Sequence, residues 1–188
     1  MSKKCLCFCL SLGMAAAVAH AQVEAFQASF TPKHAIHDRE TRIEGVTLSV
    51  WGENPQSALS IGFVNGSTGT SKGFSLGLVN YSERYAGAQW SFANFCHSDF
   101  SGWQGGPLFG VLISAVNYCG GSMSGLQTGA VNLTGKMSGV QIGIVNYAQE
   151  VESGLQVGLV NLIGNTSGWF TNWPNEVAPG MIFANWKF

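Results

Sequence analysis

The chain is predicted to be all-β on three observations: an eight-residue apolar unit that recurs seven times, side chains that alternate within each unit, and the absence of any charge inside the units. The clearest copy runs Gly139-Val-Gln-Ile-Gly-Ile-Val-Asn146. The others occupy Ala58 to Asn65, Gly73 to Asn80, Gly87 to Asn94, Gly110 to Asn117, Gly125 to Asn132 and Gly154 to Asn161. Lys72, Glu83, Arg84, Asp99, Lys136, Glu150 and Glu152 all fall between units. A strand in a soluble sandwich usually shows water one polar face, and these strands have none.

Alternation assigns the faces. In the copy at 139, Val140, Ile142 and Ile144 point one way, and Gly139, Gln141, Gly143 and Val145 the other. The aliphatic set recurs as Leu126, Thr128 and Ala130, and as Leu155, Val157 and Leu159. Aliphatics opposite Gly and Gln make the pattern of a membrane barrel wall, with lipid outside and a tight neutral interior. Tyr81, Phe95, Tyr118 and Tyr147 follow the unit Asn and suit interfacial girdles. The residues expected to define the structural repeat are Gly87, Gln89 and Asn94; Gly125, Gln127, Gly129 and Asn132; Gly139, Gln141, Gly143 and Asn146; and Gly154, Gln156, Gly158 and Asn161. Their amides are expected to satisfy one another across neighbouring strands on the Gly-lined face.

Two closures fit such a repeat, an antiparallel meander and a parallel β-solenoid. Most units lie 14 or 15 residues apart. An eight-residue strand extends roughly 26 Å, which a solenoid would have to recross in the six or seven residues left. The intervening pieces, such as Leu-Thr-Gly-Lys-Met-Ser at 133–138, have turn composition instead. The expected architecture is therefore a meander closing as a small outer-membrane-type β-barrel of about 10–12 strands, with the solenoid as alternative. Uniformity of the units favours the solenoid, where every copy has the same surroundings.

The remaining segments extend this picture. Val23 to Phe30 and Arg42 to Trp51 supply two further strands around a polar loop, and Met181 to Phe188 forms a last one. The aromatic terminus makes Phe188 a barrel-end candidate. Residues 102–107 read as an insertion between units. Lys3 and Lys4 precede the apolar run Leu6 to Ala19 and the small-x-small site Ala19-His20-Ala21, so residues 1–21 read as a secretory signal peptide and 22–188 as one repeat-built β domain. Cys5, Cys7 and Cys9 leave with the signal. Without Lys3 and Lys4 the mature part holds seven basic and ten acidic residues, net −3, which excludes a basic nucleic-acid surface.

The tandem G-L-Q-x-G-L-V-N pattern, the segment Arg42-Ile-Glu-Gly-Val-Thr-Leu-Ser-Val-Trp-Gly52 and the aromatic terminus resemble the bacterial family of secreted surface-repeat proteins, over residues 42 to 188. That resemblance implies placement in the outer membrane or at the cell surface, and carries over no catalytic residues. Ser60, Ser75 and Leu112 depart from the unit's Gln, and Ser91 and Ser114 from its second Gly.

Chemistry-bearing groups are few. His34, His37, Asp38 and Glu40 share a loop but lack a ligand set with metal-site spacing, and read as a solvated loop. Cys96-His97-Ser98-Asp99 contains nucleophile and base types, but sequential neighbours rarely reach catalytic geometry. Sequons such as Asn65-Gly-Ser and Asn132-Leu-Thr arise where a strand-ending Asn meets a turn. The expectation is a non-enzymatic outer-membrane or surface structural and display protein, or a narrow neutral pore, with membrane lipid as partner and no cofactor. A secreted module that binds a partner is the alternative. Cys96 and Cys119 separate the closures: each lies two residues past its unit Asn, so a solenoid stacks them within disulfide range and a meander holds them apart.

Overall fold

The computed structural model describes residues 22–106, 114–166 and 168–188. The expected signal peptide, Leu112 and the unit start at Gly110 lie outside them. The described residues are all-β, without helix. In chain order the strands are β1 (Val23–Thr31), β2 (His34–Ala35), β3 (Arg42–Glu53), β4 (Leu59–Leu76), β5 (Val79–Trp90), β6 (Ala93–Cys96), β7 (Phe100–Gly105), β8 (Ser114–Ile163) and β9 (Gly180–Lys187). The strands expected near 23–30, 42–51 and 181–188 are β1, β3 and β9.

Pairing follows the repeat, and it is parallel. Asn65 pairs with Asn80, Asn80 with Asn94 and Asn94 with Asn117, while Gly73 pairs with Gly87, Gly87 with Gly102 and Gly102 with Gly125. Each unit therefore stacks on the same residues of the unit before it. This corrects the antiparallel meander: among the described strands only β1–β2 and β8–β9 pair antiparallel. A circuit of four strands, β5–β6–β8–β7, closes through β5–β7, yet it is no barrel. β6 and β7 are successive stretches of one coil, each flanked by β5 before it and β8 after it.

The unit is not one straight strand, so no straight return path of roughly 26 Å is required. Gln141 and Asn146 are both buried although five residues apart, which a flat strand would place on opposite faces. Gly143 still faces inward and Ile144 outward, so the alternation breaks between Ile144 and Asn146, and the return is shared among several short walls. Spacing of 14 or 15 residues then suffices for a full coil. The insertion also moves: Gly102-Trp103-Gln104 stacks in register between Gly87-Ala88-Gln89 and Gly125-Leu126-Gln127 as an ordinary wall. The irregular coil thus takes its Gln wall from 102–104 and its Asn wall from 114–117, with the extra residues after Gly106.

Inside the coil, equivalent residues form columns. Gln89, Gln104, Gln127, Gln141 and Gln156 make one, and Asn65, Asn80, Asn94, Asn117, Asn132, Asn146 and Asn161 a second; all are buried. A third holds the residue two past each Asn: Ser67, Ser82, Cys96, Cys119, Thr134, Ala148 and Ile163. The fourth is large and apolar, running from Tyr85 and Phe100, whose rings stack at 6.3 Å, to Met123, Met137 and Val151.

The glycines make this stacking possible. The first Gly of the unit has positive φ at Gly73, Gly87, Gly102, Gly125 and Gly139, and a Cβ there would strike the carbonyl of the preceding coil. Gly139→Ala is expected to lose roughly 2–5 kcal/mol in a denaturant titration, combining backbone strain with overpacking against Gly125. Gly69→Ala, also at positive φ but with no heavy atom in the way of its Cβ, should lose only about 1–2 kcal/mol. Equal losses would refute the close-approach explanation.

Candidate functional site

The two amide columns are continuous hydrogen-bonded ladders. Each Asn Nδ2 donates to the Oδ1 of the next coil, from Asn65 to Asn80 at 3.0 Å through to Asn146 and Asn161 at 2.8 Å. Most of these amides give their second proton to a backbone carbonyl, as Asn146 does to Val157. The Gln ladder runs the other way: Gln104 donates to Gln89, Gln127 to Gln104, Gln141 to Gln127 and Gln156 to Gln141, at 2.8–3.0 Å. The second Gly of the unit leaves the room the Asn needs; a Cβ on Gly143 would lie 2.6 Å from Asn132 Nδ2, and one on Gly158 2.6 Å from Asn146 Nδ2.

Serine departures from the repeat become intelligible here. Where Ser stands for the second Gly, its hydroxyl donates to the ladder carbonyl, Ser91 to Asn94 at 2.8 Å and Ser114 to Asn117 at 2.6 Å. Where Ser stands for Gln, it does the same, Ser60 to Asn65 at 3.1 Å and Ser75 to Asn80 at 2.9 Å. Sequence reasoning missed these four hydroxyls as ladder members; their fixed offsets of three and five residues before the Asn were the available signal. The sequons at Asn65, Asn80 and Asn132 fall on buried ladder residues, which no glycan can reach without opening the coil.

The outer surface is apolar. Phe63, Leu78, Ile144 and Leu159 follow the second Gly and are 61%, 57%, 51% and 58% exposed; Ile61, Leu76, Ile142 and Val157 form a parallel row beside them. A shallow groove of about 490 Å³ runs between Leu48, Ile61, Phe63, Leu76 and Leu78. Tyr81, Phe95 and Tyr118 are in register, and Tyr147 continues their direction, so these aromatics make a ribbon along the stack instead of girdles around a barrel. The charges between the central units collect on a separate edge, where Lys136 meets Glu152 at 2.8 Å and Arg84 meets Asp99 at 4.0 Å. The Glu152 hydrogen bond raises the Lys136 pKa.

Other sequence candidates do not assemble. Among the described residues no three His, Cys, Asp or Glu side chains gather to hold a metal. His34 Nδ1 pairs with Thr31 Oγ1 at 2.9 Å, while His37, Asp38 and Glu40 line an open cleft of about 600 Å³ with Arg39, Trp51 and Glu53. Arg39 is paired with Glu53. Cys96 points into the core and His97 out to solvent, so alternation itself separates nucleophile from base. Phe188 is 70% exposed, and its amide donates to the Asn175 carbonyl at 2.8 Å; it ends a capping strand, not a barrel seam.

The chain matches no protein-family model, no curated protein and no solved structure. The geometry alone must therefore carry the functional reading. It offers an interior closed by side chains, an apolar outer face, and charges held outside the repeat units.

Asn132→Ala would strand the Asn117 Nδ2 donor and the Asn146 Oδ1 acceptor inside the coil. The expected loss is about 2–6 kcal/mol, one to three for each orphaned group, read from equilibrium urea unfolding. A loss below about 1 kcal/mol would show that the ladder contributes little.

Proposed function

We propose that this chain is an exported, non-enzymatic structural module of the outer membrane or cell surface, which lies against lipid through its aliphatic face and displays its charged edge. The observation that carries this reading is the segregation of side chains on the outside of the stack. Ile61, Phe63, Leu76, Leu78, Ile142, Ile144, Val157 and Leu159 share a surface without a charge inside the repeat units, while Arg84, Asp99, Lys136, Glu150 and Glu152 sit on the edge between units. Monomeric soluble proteins rarely expose so continuous an apolar patch, and each Ile or Leu that passes from half-exposed to covered is worth about 1 kcal/mol.

Parallel stacking supports a β-solenoid lying on the membrane over a barrel spanning it. A pore is disfavoured by the same geometry. The amides of both ladders occupy the coil interior, and a water column through them would have to break hydrogen bonds at every rung. The secreted module that binds a protein partner through this face remains the second reading, favoured by the groove beside Phe63 and Leu78.

Flotation of the protein with phosphatidylethanolamine–phosphatidylglycerol vesicles tests the proposal. The wild-type chain should float with the vesicles, and the Ile144→Arg/Leu159→Arg pair should stay in the dense fraction. Both sites are more than half exposed, so in water the pair should change folding stability by no more than about 1 kcal/mol. Vesicle binding that survives both substitutions would refute the lipid-facing assignment.

A further inference from the structure

Cys96 and Cys119 occupy the same position in successive coils. They are in-register partners of the parallel pair β6–β8, next to Asn94 on Asn117 and Phe95 on Tyr118. In-register parallel neighbours lie about 4.8 Å apart, inside the Cα separation a disulfide spans. Both side chains point inward and are wholly buried, the Cys96 thiol donating to the Asp99 carbonyl and the Cys119 thiol to the Ser98 carbonyl, each at 3.2 Å. They are unbridged in this structure. Elsewhere the same column accepts Ser67, Ser82, Thr134, Ala148 and Ile163, so packing alone does not call for sulfur there. Beyond residue 21 the chain has only these two cysteines, on adjacent rungs, and they flank its longest coil: Asn94 and Asn117 are 23 residues apart, against 14 or 15 for other ladder neighbours.

We propose that Cys96 and Cys119 close into an intramolecular disulfide that staples the long coil to its neighbours, a step that rests on the export reading for its oxidising compartment. The Cys96 thiolate attacks one sulfur of a disulfide oxidant, either a small-molecule disulfide or an oxidised dithiol protein, forming a mixed disulfide and expelling the other sulfur as a thiolate. Cys119 loses its proton and attacks the Cys96 sulfur, and the second thiolate leaves. Two thiols have then lost two protons and two electrons, and the oxidant's disulfide has become two thiols. Because both sulfurs are buried, the reaction takes place while this coil is still open.

The test uses the full chain in two arms. In the first, protein from the producing cells is acid-quenched, alkylated and cut without reduction by trypsin and an Asp-directed protease. Cleavage after Arg84 and Lys136 and before Asp99 yields peptides 85–98 and 99–136, one cysteine in each. The proposal expects them joined, two hydrogens lighter than their sum, and separated by reductant. In the second arm, purified reduced protein is unfolded and refolded with glutathione disulfide, which needs no export. A bridge here with alkylated thiols in the cellular sample upholds the pairing and overturns the export reading. Two alkylated thiols in both arms, or bridges between different copies, would overturn the proposal. The bridged form should also melt roughly 5–15 °C above the same protein after reduction, and identical melting would refute the stapling role.

Discussion

The structure depends on hydrogen bonds between buried side-chain amides. Burying an amide in an apolar interior without a partner is costly, and this coil buries one or two at nearly every turn. The cost is met only if each amide finds the next at the right height, and parallel in-register stacking provides that at every rung. A slip of one residue would turn each ladder amide toward solvent and each outer Ile or Leu inward. The ladders thus act as the register mark of the fold. Their opposite directions, Asn toward the C-terminal end and Gln toward the N-terminal end, oppose the two rows of aligned amide dipoles instead of adding them.

Ladders must end somewhere, and the ends show how the stack is capped. Asn65 Oδ1 takes the hydroxyls of Ser49 and Ser60, and Asn161 Nδ2 donates to the carbonyls of Gly158 and Met181. The Gln ladder starts with Gln89 donating to Ser82 Oγ, but closes less well at its other end. Asn185 lies opposite Gln156 on the antiparallel β9 and gives its Nδ2 to the Ala178 carbonyl, so neither Gln156 Oε1 nor Asn185 Oδ1 has a partner. A reversed strand covers the last coil without continuing its ladder.

Polar residues inside and apolar residues outside invert the usual arrangement, and the inversion links the fold to the proposed role. Aliphatic side chains on the outer rows are not needed to hold the interior together, which rests on the ladders and on the column from Tyr85 to Val151. They are free to serve a lipid or protein surface. Charges kept out of the repeat units leave that face neutral along its length. The same logic explains why the histidine loop and the Cys96-His97 pair contain reactive residue types and no site: alternation and open loop geometry disperse them.

Sequence by itself determined the all-β class, the separation of Gln and Gly from the aliphatics, and the in-and-out assignment of both, because a period of two and the exclusion of charge act locally. Residues such as Gln141 and Ile142 sit on the sides that alternation assigns them. Tertiary structure alone decided the direction in which units pair. Parallel and antiparallel neighbours require the same alternation within a strand, and the difference lies in a break of that alternation between Ile144 and Asn146 that turns Asn146 inward. The break is intelligible only when the preceding coil is present: Asn146 Oδ1 turns in to accept from Asn132 Nδ2, and glycine at 143 leaves room for the Asn132 amide and the Gly129 carbonyl of that coil. The place of the insertion after Gly106 was hidden for the same reason: Gly102 to Gln104 counts as an ordinary wall because Gly87 to Gln89 and Gly125 to Gln127 lie on either side of it.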